Sequence, residues 1–178
     1  MKPRLAAIVL AAGDSKRFGT ENKLLSDWKG KPLVAHGVER LQRVDGIDSL
    51  TVVVGFEADR LRAVLPGVVN VFNPSWEQGM GGSLALGVAS TDSDGYLIVL
   101  GDMPHVEAET LQRLIDAWRQ DPGRPVVPGS IHPPLIVPSR YRPSIMALRG
   151  DAGCRSFLSL SDCAAIAVDA EELADIDG

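Results

Sequence analysis

The sequence predicts an α/β protein with a three-layer, doubly wound and mainly parallel sheet, formed as a single domain by residues 1–178. Short apolar runs flanked by Gly, Asp or Pro alternate with stretches of helical periodicity, as they do in βαβ units. Hydrophobic residues make up 45% of the chain, and no repeat, linker or low-complexity segment interrupts it. Such folds bind ligands at the carboxyl ends of their strands, so we expect the functional residues directly after the strands.

The first part of the chain contains the clearest strands and helices. The strands are short, apolar and bounded by turn-forming residues, and they cover residues 5–11, 50–56, 68–72 and 96–102. The helices have apolar residues three or four positions apart, and they cover residues 32–44, 57–65, 82–90 and 106–118. In the last helix Leu111, Leu114 and Trp118 share one stripe, which predicts a buried face.

The pattern is looser after Gln120. Short strands are predicted over residues 125–129 and 133–138, near an edge of the sheet because proline cannot donate to a strand ladder. Helical segments are predicted over residues 144–150 and 153–160, and a last strand over residues 164–169.

Charge and composition argue against several classes of protein. The formal net charge is −5, which is unlike a nonspecific nucleic-acid binder or a membrane-surface binder. No apolar stretch is long enough to cross a bilayer. Together with the negative net charge, this leads us to expect neither a membrane nor a nucleic-acid partner. Positive charge is nevertheless concentrated near the start of the chain. The cations there are Lys2, Arg4, Lys16, Arg17, Lys23, Lys29 and Lys31.

The two cysteines, Cys154 and Cys163, have neither a CxxC spacing nor the spacing of zinc ligands. We therefore expect reduced thiols that pack in the core of a cytoplasmic protein. Lys2 and Arg4 followed by LAAIVLAAG imitate a signal peptide. The same residues fit a buried first strand that is followed directly by a cation-bearing loop, and we favour that interpretation.

A loop of small residues follows the first predicted strand. Ala11, Ala12 and Gly13 leave the backbone uncovered, and exposed N–H groups at a strand end can bind phosphate oxygens. Arg17 and Lys23 can add charge-assisted hydrogen bonds to a polyphosphate. The loop has neither the Walker A nor the GxGxxG pattern. On the residues alone, an ordinary strand-to-helix turn with solvated cations fits equally well.

The stretch from Leu10 to Leu25, LAAGDSKRFGTENKLL, resembles the opening signature of the MobA-like nucleotidyltransferases, LAAGxSxRxGxxNKLL. The resemblance implies a Rossmann-like nucleotidyltransferase fold and a nucleoside triphosphate bound over this loop. It implies that the backbone of residues 10–13 lies near the base and the phosphates. Arg17 and Lys23 then lie on the triphosphate as catalytic cations, which explains positive charge at this point of an acidic chain.

A carboxylate stands at the end of the fourth predicted strand, where GDMPHV follows the apolar run. Oxygen ligands such as that of Asp102 suit Mg²⁺, which usually takes one or two carboxylates together with substrate phosphates. By position alone, an N-cap aspartate ahead of the next helix explains Asp102 as well. GDMPxV, however, resembles the metal-binding strand end of the same family. The resemblance implies that Asp102 holds Mg²⁺, contacts the nucleotide and takes part in catalysis.

A second metal ligand is expected near the end of the chain. The family often has a DIDTPEDL-like stretch that returns an acidic or amide side chain to the metal, and DIDG at residues 175–178 resembles its beginning. The resemblance implies Asp177 as this second ligand. A solvated acidic tail is the alternative.

A glycine-rich segment precedes the third predicted helix. NPSWEQGMGGSLALGV at residues 73–88 resembles the EGMGSSL-like segment of the molybdenum cofactor cytidylyltransferase branch, where this loop faces the nucleotide and the cofactor. The resemblance implies that Gly79, Met80, Gly81 and Ser83 bind the nucleotide. Gly82 stands where the branch has Ser, which removes a hydroxyl group. A flexible N-cap turn is the alternative explanation of the glycines.

Two later segments resemble the part of that branch that faces the second substrate. IHPPLIV at residues 131–137 is similar to GHPVLF, with Ile131 in place of Gly, and LRGDAGCRSFL matches LxGDxGxRxxL. The resemblance implies that His132, Asp151 and Arg155 contact the second substrate. An Asp–Arg pair at a helix start explains the last two residues as well.

The function that these motifs imply is transfer of CMP from CTP to a molybdopterin-type cofactor, with Mg²⁺ and with release of pyrophosphate. The LAAG sequence favours a cytidylyltransferase over a guanylyltransferase, which has LAGG, because the Cβ atom of Ala12 narrows the base site. A GTP-dependent guanylyltransferase or a sugar-phosphate nucleotidyltransferase is the first alternative. A non-catalytic carrier is the second, one that delivers the cofactor to a molybdenum hydroxylase of the xanthine dehydrogenase type.

Overall fold

A seven-stranded sheet lies at the centre of the computed structural model, which describes residues 1–14, 19 and 21–176. In chain order the elements are β1 (Leu5–Ala11), β2 (Asp27–Trp28), β3 (Lys31–Pro32), α1 (Leu33–Arg43), β4 (Ser49–Val54), α2 (Ala58–Val64), β5 (Val69–Phe72), α3 (Met80–Ala89), β6 (Gly95–Leu100), α4 (Ala108–Gln120), β7 (Val126–Val127), β8 (Leu135–Pro138), α5 (Arg142–Met146) and β9 (Ala164–Ala165). Strands β2 and β3 form a separate antiparallel pair. Arg17 and Asp177 lie outside the described residues.

The strand order of the sheet is β5-β4-β1-β6-β8-β7-β9. Strand β1 runs parallel to both of its neighbours, β4 and β6, and β4 runs parallel to β5. Strand β8 is antiparallel to β6 and to β7. Every residue of β1 is buried, as expected for a strand in a parallel sheet that is covered on both faces. The doubly wound, mainly parallel α/β fold predicted from the sequence is therefore confirmed.

Helices cover both faces of the sheet. The side chains of β1 alternate between the two faces, so Val9 belongs to one core cluster and Ile8 to the other. Helices α1 and α4 pack on the first face through residues such as Val38 and Leu114, and α3 packs on the second through Leu84. Each such side chain stabilises the fold by about 1.5–3 kcal/mol when it is fully buried. Packing on both faces thereby fixes the positions of the central strands and of the points where they end.

Several details differ from the sequence prediction, among them the place of β8, the start of α3 and the length of the last helical segment. Strand β8 lies between β6 and β7 and not beside an open edge, because its prolines stand before it and at its last residue, Pro138. Helix α3 begins at Met80, two residues before the predicted start, since the glycines adopt helical backbone there. Residues 153–160 form only a short 3-10 turn, Cys154–Ser156, and not a longer helix.

The two cysteines are buried and free of a disulfide. Burial raises the pKa of the Cys154 thiol to about 12. Burial also raises the pKa of Cys163, and the nearby carboxylate of Asp162 adds to the effect. Both thiols therefore stay protonated at neutral pH and pack as small apolar side chains. Among the described residues, no helix has both the length and the apolar character needed to cross a membrane.

Candidate active site

The carboxyl ends of the neighbouring strands β1 and β6 meet at one end of the sheet. The N–H of Gly101, after β6, donates to the carbonyl oxygen of Leu10 in β1 at 2.9 Å, which fixes the two strand ends side by side. A cavity of about 490 Å³ opens there, and we call it the phosphate cavity. Its lining includes most of the residues predicted to bind the nucleotide. These are Leu10, Ala11, Ala12, Gly13, Lys23, Gly79, Met80, Ser83 and Asp102.

The backbone is open at the end of β1. Gly13 is exposed, and no other atom lies within 4 Å of the point where a Cβ atom would stand. The preceding carbonyl, that of Ala12, is already used, because it accepts from the N–H of Phe56 at 2.9 Å. The turn is thus anchored on its sheet side and bare on its cavity side. That arrangement allows a ligand to approach the main chain closely.

A capped turn presents Lys23 to the phosphate cavity. Residues Lys23–Leu25 form a 3-10 turn, and the side chain of Asn22 caps it by accepting from the N–H of Leu24 at 3.0 Å. Asn22 is 2% exposed, and Leu24 anchors the turn in the core. The NKLL part of the opening motif therefore has a local explanation. The asparagine fixes the turn, the first leucine holds it in the core, and the lysine between them faces the cavity.

Lys23 and Asp102 form an ion pair inside this cavity. The Lys23 Nζ lies 2.7 Å from a carboxylate oxygen of Asp102, and the two side chains are 13% and 22% exposed. Asp102 is not the cap of the next helix, since α4 begins after Glu107 and has no side-chain cap. The carbonyl oxygen of Asp102 also accepts from the N–H of Ile176 at 3.3 Å. The last described residues of the chain therefore lie against the end of β6.

The donor set at Asp102 fits a hard divalent cation that is shared with a substrate. Among residues 1–14, 19 and 21–176 there is no group of three or more His, Cys, Asp or Glu side chains able to hold a metal alone. Mg²⁺ keeps water or substrate phosphates as ligands and needs only one or two carboxylates from the protein. A carboxylate at the edge of a cavity with an open backbone turn and a lysine meets that need.

The glycine segment at the start of α3 packs against the loop after α5. Gly79 has a φ of +109°, and a Cβ atom there would lie 2.4 Å from the carbonyl carbon of Gly150. The N–H of Gly81 donates to the carbonyl oxygen of Gly150 at 2.8 Å. The Gly81 N–H is therefore engaged within the protein, and Gly81 does not line the phosphate cavity. The space beside Gly82 is open, since the nearest atom to an added Cβ is 4.0 Å away, on Asn73.

Ser83 lies at the floor of the phosphate cavity. It is 4% exposed, and its hydroxyl oxygen accepts from the side-chain amide of Asn73 at 2.9 Å. The carbonyl oxygen of the Asn73 side chain accepts in turn from the N–H of Ser75. The Ser83 hydroxyl is thereby oriented, and its own proton remains available for a ligand.

A second cavity of about 520 Å³ adjoins the first, and we call it the acceptor cavity. Leu10, Met80, Leu100 and Asp151 line both cavities. All the residues predicted to contact the second substrate line the acceptor cavity. They are His132, Asp151 and Arg155. Its remaining lining is largely apolar and includes Leu84, Ile98, Ile131 and Leu135.

The polar groups of the acceptor cavity differ in how they are held. The Nδ1 atom of His132 lies 2.7 Å from the carbonyl oxygen of Pro133, so Nδ1 is the donor, and in that tautomer Nε2 can accept a hydrogen bond from a ligand. The ion pairs of the described residues do not include one between Asp151 and Arg155. Both charged side chains are exposed, so each can meet a ligand.

Several lining residues were not predicted as site residues from the sequence. Trp76 is half-buried, stands beside Phe56 with ring centroids 5.4 Å apart, and lines the phosphate cavity. Glu77 and Leu100 line the same cavity, and Cys154 lines the acceptor cavity. Trp76 and Glu77 immediately precede the glycine segment, and that proximity was the available signal.

The MobA-like NTP transferase domain matches residues 7–167. The chain belongs to the MobA-like nucleotidyltransferase family. The match covers both cavities, including the opening motif, the strand end at Asp102 and the loop at Asp151. Membership places the chain among nucleotidyltransferases and confirms the family that the opening motif indicated.

Proteins similar to this chain differ in their named activities. The chain is 32% identical to the nicotine blue oxidoreductase of Paenarthrobacter nicotinovorans over 171 residues, covering 88% of this chain and 82% of that protein. It is 31% identical to a probable molybdenum cofactor guanylyltransferase of Rhodopirellula baltica over 140 residues, which cover 76% of this chain and 66% of that protein. The bifunctional protein GlmU of Legionella pneumophila is 33% identical over 127 residues, which span 69% of this chain but only 27% of GlmU.

Solved structures confirm the Rossmann-like α/β fold. Rv0371c of Mycobacterium tuberculosis superposes with a TM-score of 0.86 at 25% identity, covering 99% of this chain and 94% of that one. A structure of the same mycobacterial protein in complex with manganese superposes with a TM-score of 0.78 at 24% identity, covering 93% and 89%.

Proposed function

We propose that the chain transfers CMP from CTP to a molybdopterin-type cofactor in a reaction that needs Mg²⁺ and releases pyrophosphate. One observation carries the proposal. The phosphate cavity, with its open turn, lysine and carboxylate, adjoins an apolar acceptor cavity across a shared wall formed by Leu10, Met80, Leu100 and Asp151. Two substrates bound side by side in these cavities come into contact where the cavities adjoin, as direct transfer between them requires.

The proposed reaction forms one bond and breaks one. An oxygen of the acceptor's terminal phosphate bonds to the α-phosphorus of CTP, the bond from that phosphorus to the bridging oxygen breaks, and pyrophosphate leaves with the bonding electrons. A phosphate monoester carries its second negative charge near neutral pH, so the protein does not have to remove a proton. Repulsion between anions is the main barrier that the protein must lower.

Three residues of the phosphate cavity have a role in this proposal: Gly13, Lys23 and Asp102. Lys23 offsets negative charge on the triphosphate, and the open backbone at Gly13 accommodates it. Asp102 would hold Mg²⁺, which when bound neutralises phosphate oxygens and helps the leaving group depart. The manganese complex of the mycobacterial protein supports a divalent cation in this family. Arg17 and Asp177 keep their predicted roles as a second cation and a second metal ligand, and both lie outside the described residues.

The acceptor cavity supports a ring-shaped second substrate with an anionic group. Its walls are apolar side chains that suit a flat heterocycle, and His132 and Asp151 offer acceptors to ring N–H groups. Arg155 offers a cation to the phosphate group of this second substrate. The named activity of the Rhodopirellula baltica protein, a molybdenum cofactor guanylyltransferase, supports an acceptor of the molybdopterin type. We expect Ala12, which lines the phosphate cavity, to favour CTP over GTP, because its Cβ atom leaves less space for a base than the glycine of an LAGG sequence would.

The similarity to nicotine blue oxidoreductase favours a second candidate function. That similarity covers more of this chain than the similarity to the guanylyltransferase does. In this alternative, the apolar acceptor cavity binds an organic compound that exchanges two electrons with a bound redox nucleotide, and no nucleotide is cleaved. A non-catalytic carrier of the molybdenum cofactor is a third use of the same cavity, one that would serve a recipient such as a molybdenum hydroxylase.

A pyrophosphate assay separates these functions. Protein, Mg²⁺ and molybdopterin are mixed with CTP, GTP or UTP in parallel, and released pyrophosphate is measured. The proposal expects release with CTP that depends on molybdopterin and exceeds release with GTP. Preference for GTP indicates the guanylyltransferase, and tight molybdopterin binding without pyrophosphate indicates the carrier. Absence of both molybdopterin binding and pyrophosphate release rules out the proposal and the carrier, and leaves the oxidoreductase and a sugar-phosphate nucleotidyltransferase as the remaining explanations.

A further inference from the structure

The ion pair between Lys23 and Asp102 joins two groups that the proposed reaction uses separately. Lys23 serves the triphosphate there, whereas Asp102 serves the divalent cation. In the structure the ammonium is 2.7 Å from the carboxylate, and both side chains are mostly shielded from water. The ammonium therefore stands beside the oxygen that a metal would take.

We propose that Lys23 is a resident counter-ion of Asp102 that the nucleotide draws away, so that the cation site forms only as the nucleotide binds. The inference rests on the proposed function, since it takes Asp102 as the cation ligand. It adds a rule for assembly: the free protein binds the divalent cation weakly, and the cation and the triphosphate enter together.

Electrostatics supports weak binding of the divalent cation to the free protein. A divalent cation that approaches Asp102 meets the ammonium of Lys23 at close range, and the repulsion is poorly screened because the pair is shielded from solvent. No group of three or more metal-binding side chains exists among the described residues to outweigh that repulsion. Asp102 is thus neutralised already and attracts a cation only weakly while Lys23 stays.

The geometry of the turn at Lys23 supports joint entry of the cation and the triphosphate. The backbone at Lys23 is fixed by the Asn22 cap and by Leu24, but the lysine side chain has a flexible four-carbon stem. A triphosphate in the phosphate cavity offers several anionic oxygens to that ammonium, which can leave Asp102 without moving the main chain. By linkage, a nucleotide that raises the affinity for the cation must itself bind better when the cation is present.

The first test measures Mn²⁺ binding to the nucleotide-free protein by electron paramagnetic resonance. We expect Lys23→Met to bind Mn²⁺ at least tenfold more tightly than the wild type, and Asp102→Asn in the Lys23→Met background to lose that gain. Lys31→Met is the matched control, because Lys31 pairs with Glu39 outside both cavities and its loss changes the net charge equally. Equal or weaker Mn²⁺ binding by Lys23→Met than by Lys31→Met overturns the inference.

The second test measures CTP binding in EDTA by isothermal titration. Because Asp102→Asn frees Lys23 for the phosphates, we expect this variant to bind metal-free CTP several-fold more tightly than the wild type. Asp151→Asn removes a charge from the same cavity without freeing Lys23, so it should gain less. Equal gains overturn the inference. If no variant binds CTP with or without Mg²⁺, the proposed function fails as well, whereas failure of the Mn²⁺ test alone leaves the pyrophosphate assay to judge that function.

Discussion

Two glycines at the start of α3 should respond in opposite directions to the same substitution. Gly79 has φ +109° and ψ 175°, a backbone region that is nearly restricted to glycine and costs other residues about 1–3 kcal/mol. A Cβ atom there also lies 2.4 Å from the carbonyl carbon of Gly150, an overlap that costs a further ~1–3 kcal/mol. Gly82 lies within the helix, and its added Cβ atom has space.

We expect Gly79→Ala to lower the free energy of unfolding by about 3 kcal/mol and Tm by roughly 6–12 °C. Gly82→Ala should raise the free energy of unfolding by about 0.5–1 kcal/mol, because alanine loses less backbone entropy in a helix. Circular dichroism during thermal unfolding gives Tm, and urea titration gives the free energies. If Gly79→Ala unfolds at the wild-type temperature, α3 does not pack against the loop at Gly150 as described, and the shared wall of the two cavities is not built by that contact.

The remaining predictions concern the two cavities. Asp102→Ala should keep the fold, seen in an unchanged circular dichroism spectrum, and lose most pyrophosphate release; an unchanged rate rules out its role at the cation. His132→Phe removes the Nε2 acceptor but keeps a flat ring, so the KM for molybdopterin should rise about tenfold, the value of one hydrogen bond of ~1.4 kcal/mol. The KM for CTP should stay constant. His105→Phe is the control, because His105 lies outside both cavities. Equal changes in the two KM values would contradict the assignment of His132 to the acceptor cavity. The Cys154 thiol, with a pKa of about 12, should resist iodoacetamide in the folded protein at pH 8 and react only after unfolding. Rapid labelling of the folded chain would show that the thiol is not buried.

Local sequence patterns predicted the parts of the site that depend on neighbouring residues. The opening motif indicated a turn after β1, and the structure explains it through the Asn22 cap and the open backbone at Gly13. The apolar run before Asp102 predicted a buried strand that ends at the carboxylate, and β6 ends at Leu100, two residues before it. Period and turn chemistry are local properties, so a single sequence carries them.

Contacts between distant segments could not be predicted in this way. Nothing in the sequence pairs Lys23 with Asp102, because that contact depends on β1 and β6 being neighbours in the sheet. The packing of Gly79 against Gly150 likewise requires α3 and the loop after α5 to meet in space. The sequence could not show that the glycines near residue 80 also make a packing contact, because their protein partner lies far away along the chain.

The most direct measurement for the central claim is a crystal structure of the protein soaked with CTP and Mg²⁺. We expect triphosphate density against the turn at Gly13, a metal ion on the carboxylate of Asp102, and the Lys23 ammonium moved from that carboxylate to a phosphate oxygen. Nucleotide density away from the ends of β1 and β6, or a metal ion bound elsewhere with the Lys23–Asp102 pair intact, would contradict the proposed site.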